Sequence, residues 1–262
     1  MKSVVITGST RGIGLAMALE FLQSGCCVTL SGRGECIRPA LMQTLQPFSE
    51  RYQYIPCDVQ NKRDLEALWE AAVAKFGAVD LWINNAGQNA PHDWIYHTDE
   101  CYVRAVIGTN IAGVILGSQV AAEGMIRQGH GAIYSMEGLG SNDMIQKKTI
   151  LYGTSKRALT YFMKGLAKEL EGTGVIAGRL SPGMMLTDFI TKTPDGSVAA
   201  IETDAQFQKI FNILADRPET VAKFFVPRML KNTKNDRQIA WLTGGKAAWR
   251  FLTAPLRKGR LV

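Results

Sequence analysis

Cysteine is scarce: Cys26, Cys27, Cys36, Cys57 and Cys101 make an odd five with no C-x-x-C spacing among them. That argues against a disulfide framework and for thiols kept in a reducing compartment. Histidine is scarcer, at three, and His92 and His97 share a loop with Trp94 and Tyr96 but with no cluster of acidic partners. No metal site is expected from such a set. No apolar run reaches the roughly 18 residues of a membrane span. The opening "MKSVVITGS" enters a strand pattern at once, which leaves no room for a signal or transit peptide, so a soluble, cytoplasmic protein is expected. Concentrated positive charge is also missing. The formal charge is +7, yet lysine and arginine are spread thinly until "LRKGR" near the end, which argues against nucleic acid as a partner. There is neither an internal repeat nor a low-complexity linker.

What is present is alternation. A chain of 262 residues, 46% hydrophobic, can bury a sizeable core, and one domain over 1–262 is the simplest reading. Short β-branched or apolar runs, "SVVIT", "CCVTLS", "YQYIPC", "VDLWI", "AIYSM", "VIAGRL" and "QIAWLT", take turns with helical patterns. Those patterns include Gly12 to Ser24, a long helix around 99 to 127, and the helix opened by "LYGTSKRAL". The order predicts an α/β fold, a single Rossmann-type doubly wound parallel sheet with helices on both faces and ligands at the carboxyl ends of the strands. From Ser181 to Arg237 the rhythm breaks, and a helical lid insertion is expected at about 184–230. The tail "KAAWRFLTAPLRKGRLV" is apolar with a basic end. It suits peripheral contact with a membrane surface, a subunit interface, or packing on its own domain.

"TGSTRGIG" follows the first strand and opens the first helix. Gly8, Gly12 and Gly14 let the backbone turn tightly and approach a pyrophosphate, whose charge the helix N-terminus stabilises. Arg33 ends the second strand, where an acidic residue would bind the ribose of NAD. Arg33 and Arg11 instead offer forked donors to a 2′-phosphate, which favours NADPH. Tyr152 and Lys156 stand four apart on one helical face. A phenol near pKa ~10 would need roughly 4 kcal/mol of preferential phenolate stabilisation to reach about 7. A neighbouring ammonium and a nicotinamide are the expected source of it.

Taken with "CDV", "NNAG", "TNIAG" and "SPG", these motifs resemble the short-chain dehydrogenase/reductases over nearly the whole chain. The resemblance implies that Thr10 and Ile13 join the glycine turn at the cofactor, that Asp58 and Val59 flank the adenine, and that Asn85, Ala86 and Gly87 line the cofactor. It further implies that Asn110 holds a water in a proton relay, that Tyr152 and Lys156 contact the nicotinamide ribose, and that Pro182, Gly183 and Thr187 position the carboxamide. A homo-dimer or homo-tetramer is expected on the same ground.

One element of that pattern is absent. Such enzymes carry a serine thirteen residues before the tyrosine, and that position here is Leu139. "DLWINNAGQNA", "AIYSMEGLGSND", "LSPGMMLTD" and "FNILADRPETVAKFFVPRM" resemble a narrower subgroup, the chlorophyll b reductases, which carry an acidic residue and a glycine there, as Glu137 and Gly138 do, followed by a serine matching Ser141. The expected catalytic set is therefore Asn110, Ser141, Tyr152 and Lys156, with Ser135 as the alternative oxyanion donor. The expected reaction is NADPH-dependent reduction of a bulky hydrophobic carbonyl, by resemblance the 7-formyl group of chlorophyll(ide) b. Another bulky aldehyde or ketone, or a role as an NADPH-binding sensor or scaffold, stands as the alternative. Trp94, Tyr96, Phe189, Phe207 and Phe211 either wall a large flat substrate or pack the core and lid.

Overall fold

A computed structural model describes residues 1–196, 199, 201 and 204–254. Seven strands, β1 (Ser3–Ile6), β2 (Cys27–Gly32), β3 (Tyr52–Pro56), β4 (Leu81–Asn84), β5 (Gly131–Met136), β6 (Val175–Ser181) and β7 (Arg237–Ala240), form one sheet in the order β3-β2-β1-β4-β5-β6-β7. Every pairing is parallel. The helices are α1 (Gly12–Gln23), α2 (Pro39–Leu45), α3 (Lys62–Phe76), α4 (Glu100–Ile107), α5 (Gly113–Gln128), α6 (Ile150–Glu169), α7 (Asp188–Thr191), α8 (Ala205–Leu214), α9 (Pro218–Lys231) and α10 (Gly244–Leu252).

Parallel strands need crossovers, and helical crossovers cover both sheet faces, so the strand residues are buried with little polar alternation. β1 and β4 are buried along their whole lengths. The pleat divides them between two cores. Val4, Ile6 and Tyr134 join α1, Leu41, Leu45 and α9 on one side. Val5, Ile133 and Ala177 join α3, α5 and the Met163–Ala167 part of α6 on the other. Strand order reverses between β1 and β4, where two crossovers diverge and leave a crevice at the carboxyl ends.

α4, a π turn at Gly108–Ala112 and α5 run on as one helix, Glu100–Gln128. With a mean hydropathy of 1.5 over its best window, it is long and apolar enough to cross a membrane by length and composition. This corrects the expectation drawn from unbroken apolar runs, because scattered polar residues interrupt a run without lowering a helix average very far. More than half of that window is buried in the fold, against α3, β4 and β5. Gly124 sits where a Cβ would strike the Trp69 ring. Gly124→Ala is expected to cost about 1 to 3 kcal/mol through overpacking, offset by about 1 kcal/mol regained in helix propensity, for a net loss of up to about 2 kcal/mol as read from urea denaturation.

The excursion after β6 closes on itself. Met185 bridges Asp216, the Leu186 amide donates to the Asp216 carbonyl (3.1 Å), and the Asp216 amide donates to the Met184 carbonyl (3.1 Å). Between those ties, Ala199, Ile201, Phe211 and Ala215 form a small separate core with Met184, Leu186, Ile190 and Phe207 around it. α9, which the broken rhythm places inside the lid, instead packs on α1 and sends Val221, Phe225, Val226 and Met229 into the main core. The reason is topological: α9 is the crossover helix that β6 and β7 require, so the excursion ends at Asp216.

α10 is anchored at the same point. Arg250 Nη1 meets Asp216 Oδ2 at 2.7 Å and the Leu214 carbonyl at 2.7 Å, and Trp241 Nε1 donates to Asp216 Oδ2 at 2.6 Å. The helix leaves Trp249, Phe251 and Leu252 exposed. The basic "LRKGR" of the tail lies outside the described residues.

Candidate active site

The carboxyl ends of the strands lead into most of the residues expected to hold the cofactor. The glycine turn leaves β1, Arg33 follows β2, Asp58 and Val59 follow β3, and Asn85, Ala86 and Gly87 follow β4. Ser141 lies in the loop after β5, and Pro182, Gly183 and Thr187 follow β6. Thr7 closes the centre: its Oγ1 accepts from the amides of Asn85 (3.0 Å) and Ala86 (3.0 Å), while Asn85 Nδ2 donates to the carbonyls of Thr7 and Gly8 at 2.9 Å each. Gly8 has φ +62, and a Cβ there would lie 2.8 Å from the Ala86 Cα, so the two loops approach as only glycine allows. Thr7 was not anticipated as a holder of the second loop; the signal was its place at the end of β1.

The first turn of α1 suits an anion. Its N-cap residue, Arg11, makes no side-chain cap bond to the opening amides. Gly12 opens toward Thr187, whose methyl would be 3.7 Å from a Cβ at position 12. Arg11 and Arg33 are both exposed at this edge, and Thr10 packs against Gly32, the residue before Arg33. Asp58 and Val59 do different work: Asp58 Oδ1 accepts the Gln60 amide at 3.0 Å, and Val59 is buried against Gly113.

Tyr152 and Lys156 share one face of α6. Lys156 Nζ lies 5.6 Å from the Tyr152 ring centroid and donates to the Met136 carbonyl at 2.9 Å. Phe189 of α7 packs on the Tyr152 ring, centroid to centroid 5.4 Å. Burial pulls the Lys156 ammonium down to about 8, against the opposing charge of Glu137. The same burial pushes the Tyr152 phenol up. The sequence expectation ran the other way. The ammonium is itself desolvated and turned to a carbonyl, so on its own it does not offset the cost of a buried phenolate.

Asn110 is fully buried in the π turn. Its Oδ1 accepts the Gln88 amide (2.8 Å), and its Nδ2 donates to the Gln88 carbonyl (2.9 Å) and Ser155 Oγ (3.0 Å). Ser155 in turn donates to the Tyr152 carbonyl at 2.7 Å. Both Asn110 side-chain donors are therefore spent on fastening the β4 loop to α6. Gln88 and Ser155 lie inside the "NNAGQNA" and "LYGTSK" runs, but spacing alone gave neither of them a role.

The two candidate serines part company. Ser135 is buried within β5, in register with Asn84 and Arg179, and its hydroxyl has no hydrogen-bond partner. Ser141 sits in the turn beside the phenol. Its Oγ accepts the Gly138 amide at 3.1 Å and donates to the Lys156 carbonyl at 3.3 Å. Gly138 is the shared neighbour, since any Cβ at that position would collide with the Tyr152 hydroxyl. The 3.3 Å bond is a long one, so little is lost if the Ser141 proton turns to another acceptor.

The aromatic residues divide as well. Phe211 is fully buried and pairs with Phe207 inside the lid core, whereas Trp94 and Tyr96 stack at 6.0 Å on the surface. Lys148 Nζ lies 5.6 Å from the Trp94 centroid. Burial, with Lys148 second, pulls the His92 imidazole down, against the opposing charges of Asp204 and Asp93.

The short chain dehydrogenase family model matches residues 2–197. A chloroplastic protein of Arabidopsis thaliana named as a probable chlorophyll(ide) b reductase is 33% identical over 277 residues, covering 99% of this chain and 54% of that protein. The chain thus spans about half the length of that relative. The chloroplastic chlorophyll(ide) b reductase of Oryza sativa subsp. japonica is 34% identical over 262 residues, covering 96% of this chain and 74% of that protein. A short chain dehydrogenase of Burkholderia cenocepacia, solved in complex with NADP, superposes with a TM-score of 0.79 at 23% identity over 94% of this chain and 98% of that one. With its parallel sheet, its glycine turn and its Tyr152–Lys156 pair at the crevice, the chain belongs to the short-chain dehydrogenase family of oxidoreductases.

Proposed function

We propose that this chain is an NADPH-dependent carbonyl reductase whose substrate is the 7-formyl group of chlorophyll(ide) b, converted to a 7-hydroxymethyl group. The observation that carries the reaction is the placement of the Tyr152 phenol, packed against Phe189, beside Lys156 at the strand ends. The Tyr152 hydroxyl, whose ionisation burial disfavours, acts as the acid of the reduction, and the same oxygen would act as the base of the reverse oxidation. The substrate reading is supported by relatives named as chlorophyll(ide) b reductases and by the exposed Trp94–Tyr96 stack, a flat apolar surface after β4.

The glycine turn and the open first turn of α1 would hold the pyrophosphate, and Arg11 and Arg33 the 2′-phosphate. When bound, the nicotinamide supplies a hydride to the carbonyl carbon. The chain's own residues manage the oxygen. As negative charge develops on it, Ser141 Oγ gives up its bond to the Lys156 carbonyl and donates to the oxygen, and the Tyr152 hydroxyl delivers the proton that completes the alcohol. Lys156, beside the phenol, would hold the ribose hydroxyls of the cofactor and keeps a positive charge next to Tyr152. The Asn110 side chain, engaged by Gln88 and Ser155, serves by holding the β4 loop against the helix that carries Tyr152 and Lys156. Phe189 packs on one side of the Tyr152 ring and orients the phenol.

The test incubates the protein with NADPH or NADH and chlorophyllide b, alongside other bulky aldehydes, and follows loss of nicotinamide absorbance and the pigment spectrum. NADPH is expected to bind at least tenfold more tightly than NADH, since each guanidinium paired with a phosphate contributes about 1.5 to 3 kcal/mol. Equal affinities would remove the NADPH assignment. Reduction of other aldehydes with the formyl pigment untouched would remove the pigment.

A further inference from the structure

The fold buries a carboxylate directly behind the catalytic pair, and nothing in the reaction above uses it. Glu137, at the end of β5, is 4% exposed. Its Oε2 accepts from Gln238 Nε2 of β7 at 2.6 Å, Arg179 Nη1 of β6 stands 3.5 Å from its Oε1, and Oε1 has no hydrogen-bond partner. Arg179 turns its other nitrogen, Nη2, to Asp236 Oδ1 at 2.9 Å. Lys156 Nζ is held on the carbonyl of Met136, one residue away from Glu137. Charges of alternating sign, Lys156, Glu137, Arg179 and Asp236, thus run from α6 beneath the crevice to the far edge of the sheet. The charged and titratable groups on this side are Lys156 and Tyr152 from α6, Arg179 from β6 and Asp236 before β7. Arg237 acts instead on Tyr134, whose side chain lies on the opposite face.

A glutamine at 137 would keep the side chain's shape and could still accept a hydrogen bond from Gln238, at far lower desolvation cost. What glutamate adds is its charge, and a buried charge is retained where a partner needs it. We propose that Glu137 is a positioning residue for the Tyr152–Lys156 pair: its buried charge keeps Lys156 an ammonium inside a site that strips it of solvent, with Arg179 and Gln238 fixing where that charge sits. This rests on the reductase reading for its purpose but not for its measurement. Burial already lowers the Lys156 ammonium to about 8, and Glu137 is the one group that opposes the fall. Without it, Lys156 loses its proton at lower pH, and the alkaline limb of turnover moves with it.

The experiment follows the Lys156 resonance in protein labelled with 13Cε-lysine, assigned through Lys156→Arg, as pH is raised. In Glu137→Gln the midpoint is expected to fall by about one pH unit or more, a tenfold loss of proton affinity, and Glu137→Asp to restore most of it. The alkaline limb of kcat for aldehyde reduction should shift by the same amount, while a purely structural role would change the melting temperature and leave both midpoints in place. A midpoint that does not move overturns the proposal. Should Glu137→Gln not fold, Asp236→Asn replaces it. Asp236 is half exposed and has φ +51, which asparagine tolerates. That change frees Arg179 to neutralise Glu137, so a smaller fall in the Lys156 midpoint is expected and an unmoved midpoint again refutes the role. If the wild type reduces no carbonyl, the kinetic arm fails with the reductase reading, whereas the resonance titration still decides Glu137.

Discussion

Tyr152→Phe is expected to lower the turnover number for carbonyl reduction by about 10² to 10⁴ while leaving cofactor affinity near that of the wild type. The substitution removes one hydroxyl and keeps the ring, so the packing against Phe189 and the position of Lys156 survive. The hydroxyl lies beside Gly138 in the loop after β5, and burial disfavours its ionisation, so it has a proton to give at neutral pH. Pre-steady-state mixing with NADPH separates the two quantities: binding should be unchanged and the single-turnover rate should collapse. Turnover close to wild type would remove Tyr152 from the chemistry and with it the proton route described above.

Ser141→Ala is the second large effect. If the Ser141 hydroxyl turns from the Lys156 carbonyl to the developing oxyanion, its loss should cost roughly 2.7 to 4 kcal/mol, a drop in kcat of about a hundredfold or more with KM little changed. The same hydroxyl also accepts the Gly138 amide, so some loss of loop stability is expected too. A melting curve and NADPH affinity distinguish the two, since a loosened loop alters both and a missing oxyanion donor neither. Ser135→Ala serves as the control. Its hydroxyl lies within β5 with no partner, and removing it should leave kcat unchanged. Inactive Ser135→Ala with active Ser141→Ala would place the donor in the strand. If both variants stay active while Tyr152→Phe does not, a backbone amide of the "GLG" turn or a water holds the oxyanion.

The alternation of β-branched strands with amphipathic helices was enough to specify a doubly wound parallel sheet, because a strand buried on both faces and a helix with one apolar stripe have few ways to cover one another. "TGSTRGIG" placed a glycine turn at the first strand, and "LYGTSK" placed Tyr152 and Lys156 on one helical face, since both statements concern residues a turn or less apart. Local periodicity carries that much and no further. The lid could not be bounded from rhythm alone: α8 and α9 look alike in sequence, and only the Met185–Asp216 closure separates an insertion from a crossover helix. The helix Glu100–Gln128 showed the reverse problem, with scattered polar residues hiding a continuous apolar average. The direction of the Tyr152 shift, the clamping of Asn110 by Gln88, the contrast between Ser135 and Ser141, and the burial of Glu137 between Gln238 and Arg179 were all settled by tertiary packing. Each depends on the solvent a group loses and on partners from strands and loops distant along the chain. Residue order determines which groups are available, but the energy of a charge or a proton is set by the three-dimensional surroundings that folding assembles around it.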